Sequence, residues 1–234
     1  MRPALRRAFR GVYAWVDPAT LEMTKKSTMP IIFCATHSGW WDGHMAFILD
    51  RQVFHRNPLV MMEERQLARY AFFTWIGAFG IRREEPRAAL QSLQYAAELL
   101  STRPNSTLWM FPQGQMAQPD ARPLQVFGGA ANIARRLDRC ALVPVALRYE
   151  FLTEQAPSAL ARVGAPMLVR QSDGASSREL TAKLSEGMMV VADRLRDDVY
   201  TRDVAKYKRI LAGRGSVNAN WDRVRQVFRR ALGR

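Results

Sequence analysis

From Pro30 onward, the chain alternates short apolar runs with segments of helical periodicity. Short apolar runs are typical of buried strands, and amphipathic segments between them are typical of helices that cover a sheet. The pattern therefore predicts an α/β fold with a mixed central sheet flanked by helices. The predicted strands lie at about 30–36, 58–62, 78–82, 107–111, 141–149 and 163–170, and the predicted helices at 43–54, 64–75, 86–100 and from Ser176 onward.

Length and composition favour one domain. The 234 residues are 48% hydrophobic, and no long Ser-, Gly- or Pro-rich linker divides them, so we predict a single domain over 1–234. Cys34 and Cys140 fall in apolar runs, which favours buried thiols in a reducing compartment over a disulfide framework. The 3 histidines show no zinc-binding spacing, and we predict no metal centre.

The formal net charge of +14 indicates a partner that carries phosphate. A nucleic acid, an anionic lipid and a phosphorylated substrate all satisfy this condition, and charge alone does not choose among them. No apolar run approaches the roughly 20 residues of a membrane-spanning helix, and neither end resembles a secretory signal. We therefore expect a soluble or peripheral protein.

The two ends of the chain share a basic amphipathic pattern. Both 1–20 and 216–234 place apolar side chains on one side of a helical wheel and arginines on the other, which predicts a helix at each end. Each helix could pack on the protein's own core or dock on an anionic membrane, with Trp15 near the headgroups. The apolar side of the first helix would consist of Leu5, Phe9, Val12 and Val16.

A histidine and a carboxylate follow the first apolar run, where the predicted strand ends. Four residues, Ser38-Gly39-Trp40-Trp41, separate His37 from Asp42. A neutral imidazole can take a proton from an alcohol near pH 7, and a carboxylate on its other nitrogen fixes the tautomer and stabilises the imidazolium. His37 and Asp42 are therefore candidate catalytic residues, although this spacing alone also arises by chance.

Three later segments add candidate binding residues. Arg82 and Arg83 follow an apolar strand, so either guanidinium could hold a phosphate through two hydrogen bonds. A proline-glycine turn follows another strand and would expose polar groups at the same sheet edge as His37. Its residues are Phe111, Pro112, Gln113, Gly114 and Gln115, and the last segment is the apolar strand around Pro144.

Together, the four segments resemble the glycerolipid acyltransferase family, whose best-known members acylate lysophosphatidic acid. The resemblance covers about residues 30–150, and the segments occur in the family's order. The family's blocks are His-x4-Asp, Gly-Ala followed by apolar residues and Arg, Phe-Pro-Glu-Gly-Thr, and an apolar-Pro-apolar strand. They correspond here to 37–42, 77–83, 111–115 and 143–145.

The resemblance implies a peripheral membrane O-acyltransferase on the cytoplasmic, inner face of the cell membrane. Acyl-CoA or acyl-carrier protein would be the donor, a lysophospholipid or another lipid alcohol the acceptor, and no further cofactor would be needed. His37 would be the general base, with Asp42 orienting it and without a covalent serine intermediate. By the same resemblance Arg83, more than Arg82, would bind the acceptor phosphate, and the 111–115 turn and Pro144 would contribute to substrate binding.

The third segment departs from the family pattern. Gln113 stands in place of glutamate, and Gln115 stands in place of threonine. Glutamine keeps the hydrogen-bonding reach of glutamate without its charge. Either the acceptor is another lipid alcohol or a glycosylated isoprenoid, or this position makes mainly neutral hydrogen bonds. Trp40 and Trp41 could line an acyl channel, contact the membrane interface or pack in the core.

Two other functions remain open from the sequence. The charge of +14 would suit a basic nucleic-acid-binding protein, but the aromatic residues do not interleave with basic ones as in a base-stacking platform. We therefore expect no nucleic-acid partner. An acyl-thioester hydrolase would use the same base with water in place of the alcohol.

Overall fold

A nine-stranded sheet organises the residues that the computed structural model describes, 1–82 and 84–215. The strands are β1 (Gly11–Val16), β2 (Ile31–Ala35), β3 (Asn57–Glu63), β4 (Ala78–Ile81), β5 (Ser106–Met110), β6 (Arg139–Glu150), β7 (Ser158–Val163), β8 (Met167–Arg170) and β9 (Lys208–Ala212). The α-helices are α1 (Arg2–Ala8), α2 (Pro18–Lys26), α3 (Asp42–Leu49), α4 (Glu64–Arg69), α5 (Pro86–Thr102), α6 (Gly129–Ala134) and α7 (Ser177–Tyr200).

The strand order is β4-β3-β5-β2-β6-β7-β1-β9, and β8 pairs with β6. The five strands from β4 to β6 run parallel, whereas β7 and β8 are antiparallel to β6. The sheet is therefore mixed, and the predicted fold class is confirmed. Because the carboxyl ends of parallel strands meet at one edge, the segments after β2, β4 and β5 share that edge.

Helices cover both faces of the sheet and create two cores. Every residue of β2 is buried, as expected for a parallel strand covered on both sides. Ile32 and Cys34 pack with residues of α5, α6 and α7, whereas Ile31 and Phe33 pack with residues of α1 and α3. The alternation of side chains along a strand therefore assigns neighbouring residues to opposite cores.

The predictions for the two long helices are confirmed. Pro86 occupies the first turn of α5, where its missing N–H removes no helical hydrogen bond. Before α7, the Ser176 hydroxyl oxygen accepts a hydrogen bond from the N–H of Glu179 at 3.1 Å. In return, the Glu179 carboxylate accepts one from the N–H of Ser176 at 2.8 Å. This capping box fixes the start of α7.

The predicted helix over 1–20 is wrong in its length. The helix α1 ends at Ala8, and 11–16 forms β1, which pairs with β7 and β9. Valine and aromatic residues in this stretch fit a strand that has hydrogen-bonding partners on both sides. Trp15 consequently lies under the guanidinium of Arg162, whose Cζ is 4.0 Å from the ring centroid. The second predicted terminal helix, 216–234, lies outside the described residues.

Three other predicted elements are divided. The predicted helix 43–54 is α3 followed by a π-helical turn over Asp50–Phe54, and the predicted helix 64–75 is α4 followed by a 3₁₀ turn over Ala71–Ile76. The predicted strand 163–170 separates into β7 and β8 on either side of Gly164-Ala165-Pro166. Proline lacks the N–H that a continuous strand would donate.

Cys34 and Cys140 are free thiols in the core, as predicted. Burial raises the pKa of both thiols, that of Cys140 to about 12, so they remain protonated and unreactive at neutral pH. Within the described ranges, no helix is both long and apolar enough to cross a membrane.

A buried carboxylate lies at the end of α3. Oδ2 of Asp50 accepts hydrogen bonds from the Thr107 hydroxyl and from Nε1–H of Trp109, each at 2.5 Å. Oδ1 has no hydrogen-bond partner among the described residues. Burial raises the pKa of Asp50 to about 6, although these hydrogen bonds and the charges of Arg56 and Arg51 act in the opposite direction.

The substitution Asp50→Asn should reveal this pKa as a pH-dependent stability difference. The pKa of Asp50 in the folded protein exceeds the value of roughly 4 in an unfolded chain. Above pH 6 the carboxylate is ionised in both the folded and the unfolded protein, and its burial lowers the free energy of unfolding by the full amount. This loss disappears as the pH falls towards 4, because the carboxyl group is then protonated. We expect the free energy of unfolding of the wild type to rise relative to Asp50→Asn by about 2–3 kcal/mol over that range. Urea unfolding of both proteins at several pH values measures this change. A difference in the free energy of unfolding that does not vary with pH would contradict the raised pKa.

Candidate active site

The turn after β2 brings His37 and Asp42 together. His37 follows the end of β2 by two residues, and Asp42 is the first residue of α3. Nδ1 of His37 lies 2.7 Å from Oδ2 of Asp42. The carboxylate is fully buried, whereas the imidazole is 23% exposed. Because Asp42 occupies Nδ1, Nε2 is the ring nitrogen left for contact with a substrate.

Four donors surround the Asp42 carboxylate. Besides Nδ1 of His37, Oδ2 accepts hydrogen bonds from the N–H groups of Ser38 at 2.8 Å and Gly39 at 2.9 Å. Oδ1 accepts a hydrogen bond from the Tyr149 hydroxyl at 2.5 Å. A buried carboxylate needs such donors to compensate for its lost hydration. The network therefore holds the charge of Asp42 at a fixed position beside the imidazole.

Tyr149 joins the candidate site through this hydrogen bond and was not predicted from the sequence. It lies near the end of β6, and its ring stacks on Phe9 with centroids 5.4 Å apart. Burial and the negative charge of Asp42 raise the pKa of Tyr149 well above its ordinary value, so the hydroxyl remains a neutral donor. One signal was available: the predicted strand 141–149 ends with a tyrosine, and its carboxyl end meets the edge where His37 lies.

The substitution Tyr149→Phe should destabilise the fold through Asp42. It removes the only hydroxyl donor to Oδ1 seen among the described residues and leaves that oxygen buried. An unsatisfied buried acceptor costs about 1–3 kcal/mol, so we expect a decrease of this size in the free energy of unfolding, measured with urea. Tyr95→Phe, at a 48% exposed tyrosine of α5, is the matched control and should change stability little. Equal stability of both variants would contradict this role of Tyr149.

The turn after β5 lies beside His37. Oε1 of Gln113 accepts a hydrogen bond from the backbone N–H of His37 at 2.7 Å, and the Gln113 side chain is buried. The Phe111 ring stacks on the imidazole with centroids 4.6 Å apart. The His37 carbonyl accepts a hydrogen bond from the N–H of Ala117 at 2.9 Å. Gln113 therefore acts on the main chain of His37, and an uncharged amide oxygen is sufficient for that contact.

The other residues of the 111–115 turn shape it. Gly114 has a φ of 69°, in the left-handed region that favours glycine, and its N–H donates to the Phe111 carbonyl at 2.9 Å. Pro112 is buried, and its carbonyl accepts a hydrogen bond from the N–H of Phe127 at 2.8 Å. Gln115 is exposed at the surface.

Two candidate binding residues lie apart from His37. Arg82 follows β4, three strand positions from β2, which corresponds to about 14 Å across the sheet. Its guanidinium contacts the carboxylates of Glu64 at 2.8 Å and Glu85 at 3.4 Å. Pro144 lies opposite Cys34 in the sheet, and its ring faces Gly187 of α7. Arg83 lies outside the described residues.

The two tryptophans inside the His37–Asp42 segment have different environments. Trp41 is half-buried and contacts Phe9 edge to face, with centroids 5.2 Å apart, whereas Trp40 is 45% exposed. Both rings contact His44, whose pKa burial lowers to about 4. Trp41 is therefore part of the core, and Trp40 lies at the surface in the segment between His37 and Asp42.

Comparisons with known proteins bear on the fold and on the family of the chain. No curated protein matches the chain. Among solved structures, the fold is similar to the crystal structure of the 1-acyl-sn-glycerophosphate (LPA) acyltransferase PlsC from Thermotoga maritima. The TM-score is 0.51 and the sequence identity 19%, and the alignment covers 81% of this chain and 73% of that chain. A family model described as Acyltransferase matches residues 19–148, more than half of the sequence. The chain therefore belongs to the acyltransferase family, as the four sequence blocks predicted.

Proposed function

We propose that this protein transfers a fatty acyl chain from a thioester to the hydroxyl of a lysophospholipid or another lipid alcohol. The contact between His37 and the buried carboxylate of Asp42 carries the proposal, since it supplies an oriented base at the carboxyl edge of the sheet. The family assignment supports acyl transfer as the reaction class. Acyl-CoA and acyl-carrier protein are both suitable donors, because each presents its acyl group as a thioester.

The reaction begins with proton transfer to His37. When Nδ1–H donates to Asp42, Nε2 carries a lone pair that can accept the proton of the acceptor hydroxyl. The hydroxyl oxygen attacks the thioester carbonyl as its proton leaves. The carbon–sulfur bond then breaks, the ester forms, and the imidazolium returns the proton to the departing thiolate. Because the thiolate is the leaving group, the reaction needs no cofactor beyond the donor.

Asp42 and Gln113 act on this reaction through His37. The Asp42 carboxylate stabilises the imidazolium while the proton resides on the ring, and its buried position strengthens that interaction. Gln113 holds the His37 backbone through its amide oxygen. This contact favours the neutral hydrogen-bonding role for position 113 over the direct binding of a substrate hydroxyl. Gln113 is thus a positioning residue in the proposed mechanism.

Arg82 and Arg83 are the proposed ligands of an acceptor phosphate. Arg82 follows β4 at the carboxyl edge that also carries His37, and Arg83 is the next residue in the sequence. Arg82 already contacts Glu64 and Glu85, so a bound phosphate would have to replace those partners. A lysophospholipid carries its phosphate only a few bonds from the reacting hydroxyl, so an arginine side chain would have to extend from the end of β4 towards His37 to bind it.

The proposed acceptor also determines where the protein works. A lysophospholipid or comparable lipid alcohol resides at a membrane surface, and we therefore propose a peripheral protein on the cytoplasmic, inner face of the cell membrane. The net charge of +14 supports attraction to anionic lipids at that surface.

A thiol-release assay tests the proposed function. The purified protein is incubated with palmitoyl-CoA, with and without lysophosphatidic acid or monoacylglycerol, and free thiol is measured with a chromogenic reagent. Acyl transfer predicts thiol release only when an acceptor is present. Equal release without acceptor would indicate a hydrolase, and no release with any donor or acceptor would contradict the proposal.

A further inference from the structure

We propose that three exposed aromatic side chains beside the catalytic pair form a membrane-docking surface. This aromatic surface consists of Trp40, Phe72 and Trp75, and its partner is a bilayer that contains anionic glycerophospholipids. The inference rests on the proposed function only for the lipid nature of the acceptor. It assigns the membrane contact to the edge of the site.

The exposure of these rings is the first observation. Trp75 is 88% exposed, Trp40 is 45% exposed and Phe72 is 37% exposed. Trp40 and Phe72 are joined through His44, whose ring centroid lies 4.6 Å and 6.4 Å from theirs. Trp75 belongs to the same 3₁₀ turn as Phe72. Single exposed apolar residues are common, whereas neighbouring exposed aromatic rings indicate an interaction site.

The turn that carries Phe72 and Trp75 is built to present them outward. Phe73 is buried, and its ring lies 3.1 Å from where a Cβ atom would be at Gly43, the residue after Asp42. The Thr74 hydroxyl donates to the Ala71 carbonyl at 2.7 Å. Gly77 ends the turn with a φ of 87°. The turn is therefore packed on the first residues of α3, and the fold itself directs Trp75 into solvent.

The position of the surface links it to the reaction. Trp40 lies in the segment between His37 and Asp42, and its ring packs on His44 in the first turn of α3. A bilayer in contact with Trp40 would therefore be adjacent to the imidazole that faces the substrate. A lipid hydroxyl could reach His37 without its acyl chain leaving the membrane.

The positive charge beside this surface favours an anionic bilayer over a second copy of the chain as the partner. Residues 65–83 contain no aspartate or glutamate, and the glutamates that flank them are largely balanced by ion pairs, Arg65 with Glu84 and Arg82 with Glu64 and Glu85. The exposed guanidinium of Arg69 lies 5.4 Å from the centroid of Tyr70, directly before the turn. Tryptophan and tyrosine favour the headgroup region of a bilayer, and a neighbouring arginine can contact lipid phosphate there. A symmetric contact with a second copy would bring the Arg69 of both copies to one interface, with no acidic residue of 65–83 to balance them.

Vesicle sedimentation with Trp75→Ala tests this inference. The side chain is 88% exposed, so its removal leaves the core intact. We expect the partition coefficient for vesicles of phosphatidylcholine and phosphatidylglycerol to fall about tenfold, because a buried aromatic ring contributes on that order. Tyr200→Ala is the matched control, since Tyr200 is 89% exposed at the end of α7. It should bind vesicles like the wild type.

Three outcomes would overturn the docking surface: no vesicle binding by the wild type, equal binding by Trp75→Ala, or an equal loss in Tyr200→Ala. A wild-type dimer that Trp75→Ala dissociates, seen by analytical ultracentrifugation, would assign the surface to a second copy and also overturn it. His37→Ala should bind vesicles like the wild type. If the wild type releases no thiol but loses vesicle binding through Trp75→Ala, the proposed function fails while the docking surface stands.

Discussion

Replacement of His37 by alanine should reduce kcat for acyl transfer by about 10²–10⁴-fold, the range expected for the loss of a general base. The acceptor hydroxyl would then lack a group that takes its proton as it attacks the thioester. Asp42 keeps its contacts with Ser38, Gly39 and Tyr149, so we expect the fold to persist. Steady-state thiol release with saturating donor and acceptor measures the effect.

The control for this experiment is His55→Asn. His55 is exposed, and its φ of 54° lies in the left-handed region, which asparagine tolerates. This variant should retain wild-type turnover, because His55 lies at the end of the π-helical turn that follows α3. Wild-type turnover in His37→Ala would show that another group takes the proton.

The second large effect is expected for Asp42→Asn. A neutral amide cannot balance the imidazolium charge, and its NH2 group would face at least one of the donors that now point at the carboxylate. By analogy with other histidine–carboxylate pairs, we expect kcat to fall by about 10⁴-fold. The mismatch should also lower the free energy of unfolding by about 1–3 kcal/mol. Thiol release and urea unfolding measure the two effects separately.

Asp138→Asn provides the comparison, since Asp138 is exposed on the surface before β6. It should leave both activity and stability unchanged. If Asp42→Asn folded and turned over like the wild type, the carboxylate would not be needed to orient or stabilise the imidazole. The mechanism would then depend on His37 alone.

The sequence predicted the elements whose signals are local. The all-apolar run of β2 indicated a strand buried on both faces, and Pro86 and the Ser176–Glu179 capping box marked where α5 and α7 begin. The proximity of His37 to the turn after β5 was also predicted from the two strands that precede these segments. Both segments end neighbouring parallel strands, so they share an edge.

Features that depend on distant partners were missed or predicted wrongly. The stretch 11–16 has helical periodicity, but its pairing with β7 and β9 near the other end of the described chain makes it a strand. The hydrogen bond of Tyr149 joins Asp42 across 107 positions of sequence. The amide of Gln113 binds a backbone N–H, a contact that no side-chain pattern reveals. Three further elements were not predicted: α2, α6 and β9. The helix α6 has only six residues, and a helix this short is stabilised mainly by packing on its neighbours.

Mass spectrometry of the products tests acyl transfer by His37 most directly. The protein is incubated with acyl-CoA that carries an isotopically labelled acyl chain, together with a set of lysophospholipids and other lipid alcohols. If His37 catalyses acyl transfer, the wild type forms a labelled ester and free thiol in equal amounts. His37→Ala should form both products far more slowly. Labelled free fatty acid in place of the ester, or the same yield of ester from His37→Ala, would contradict it.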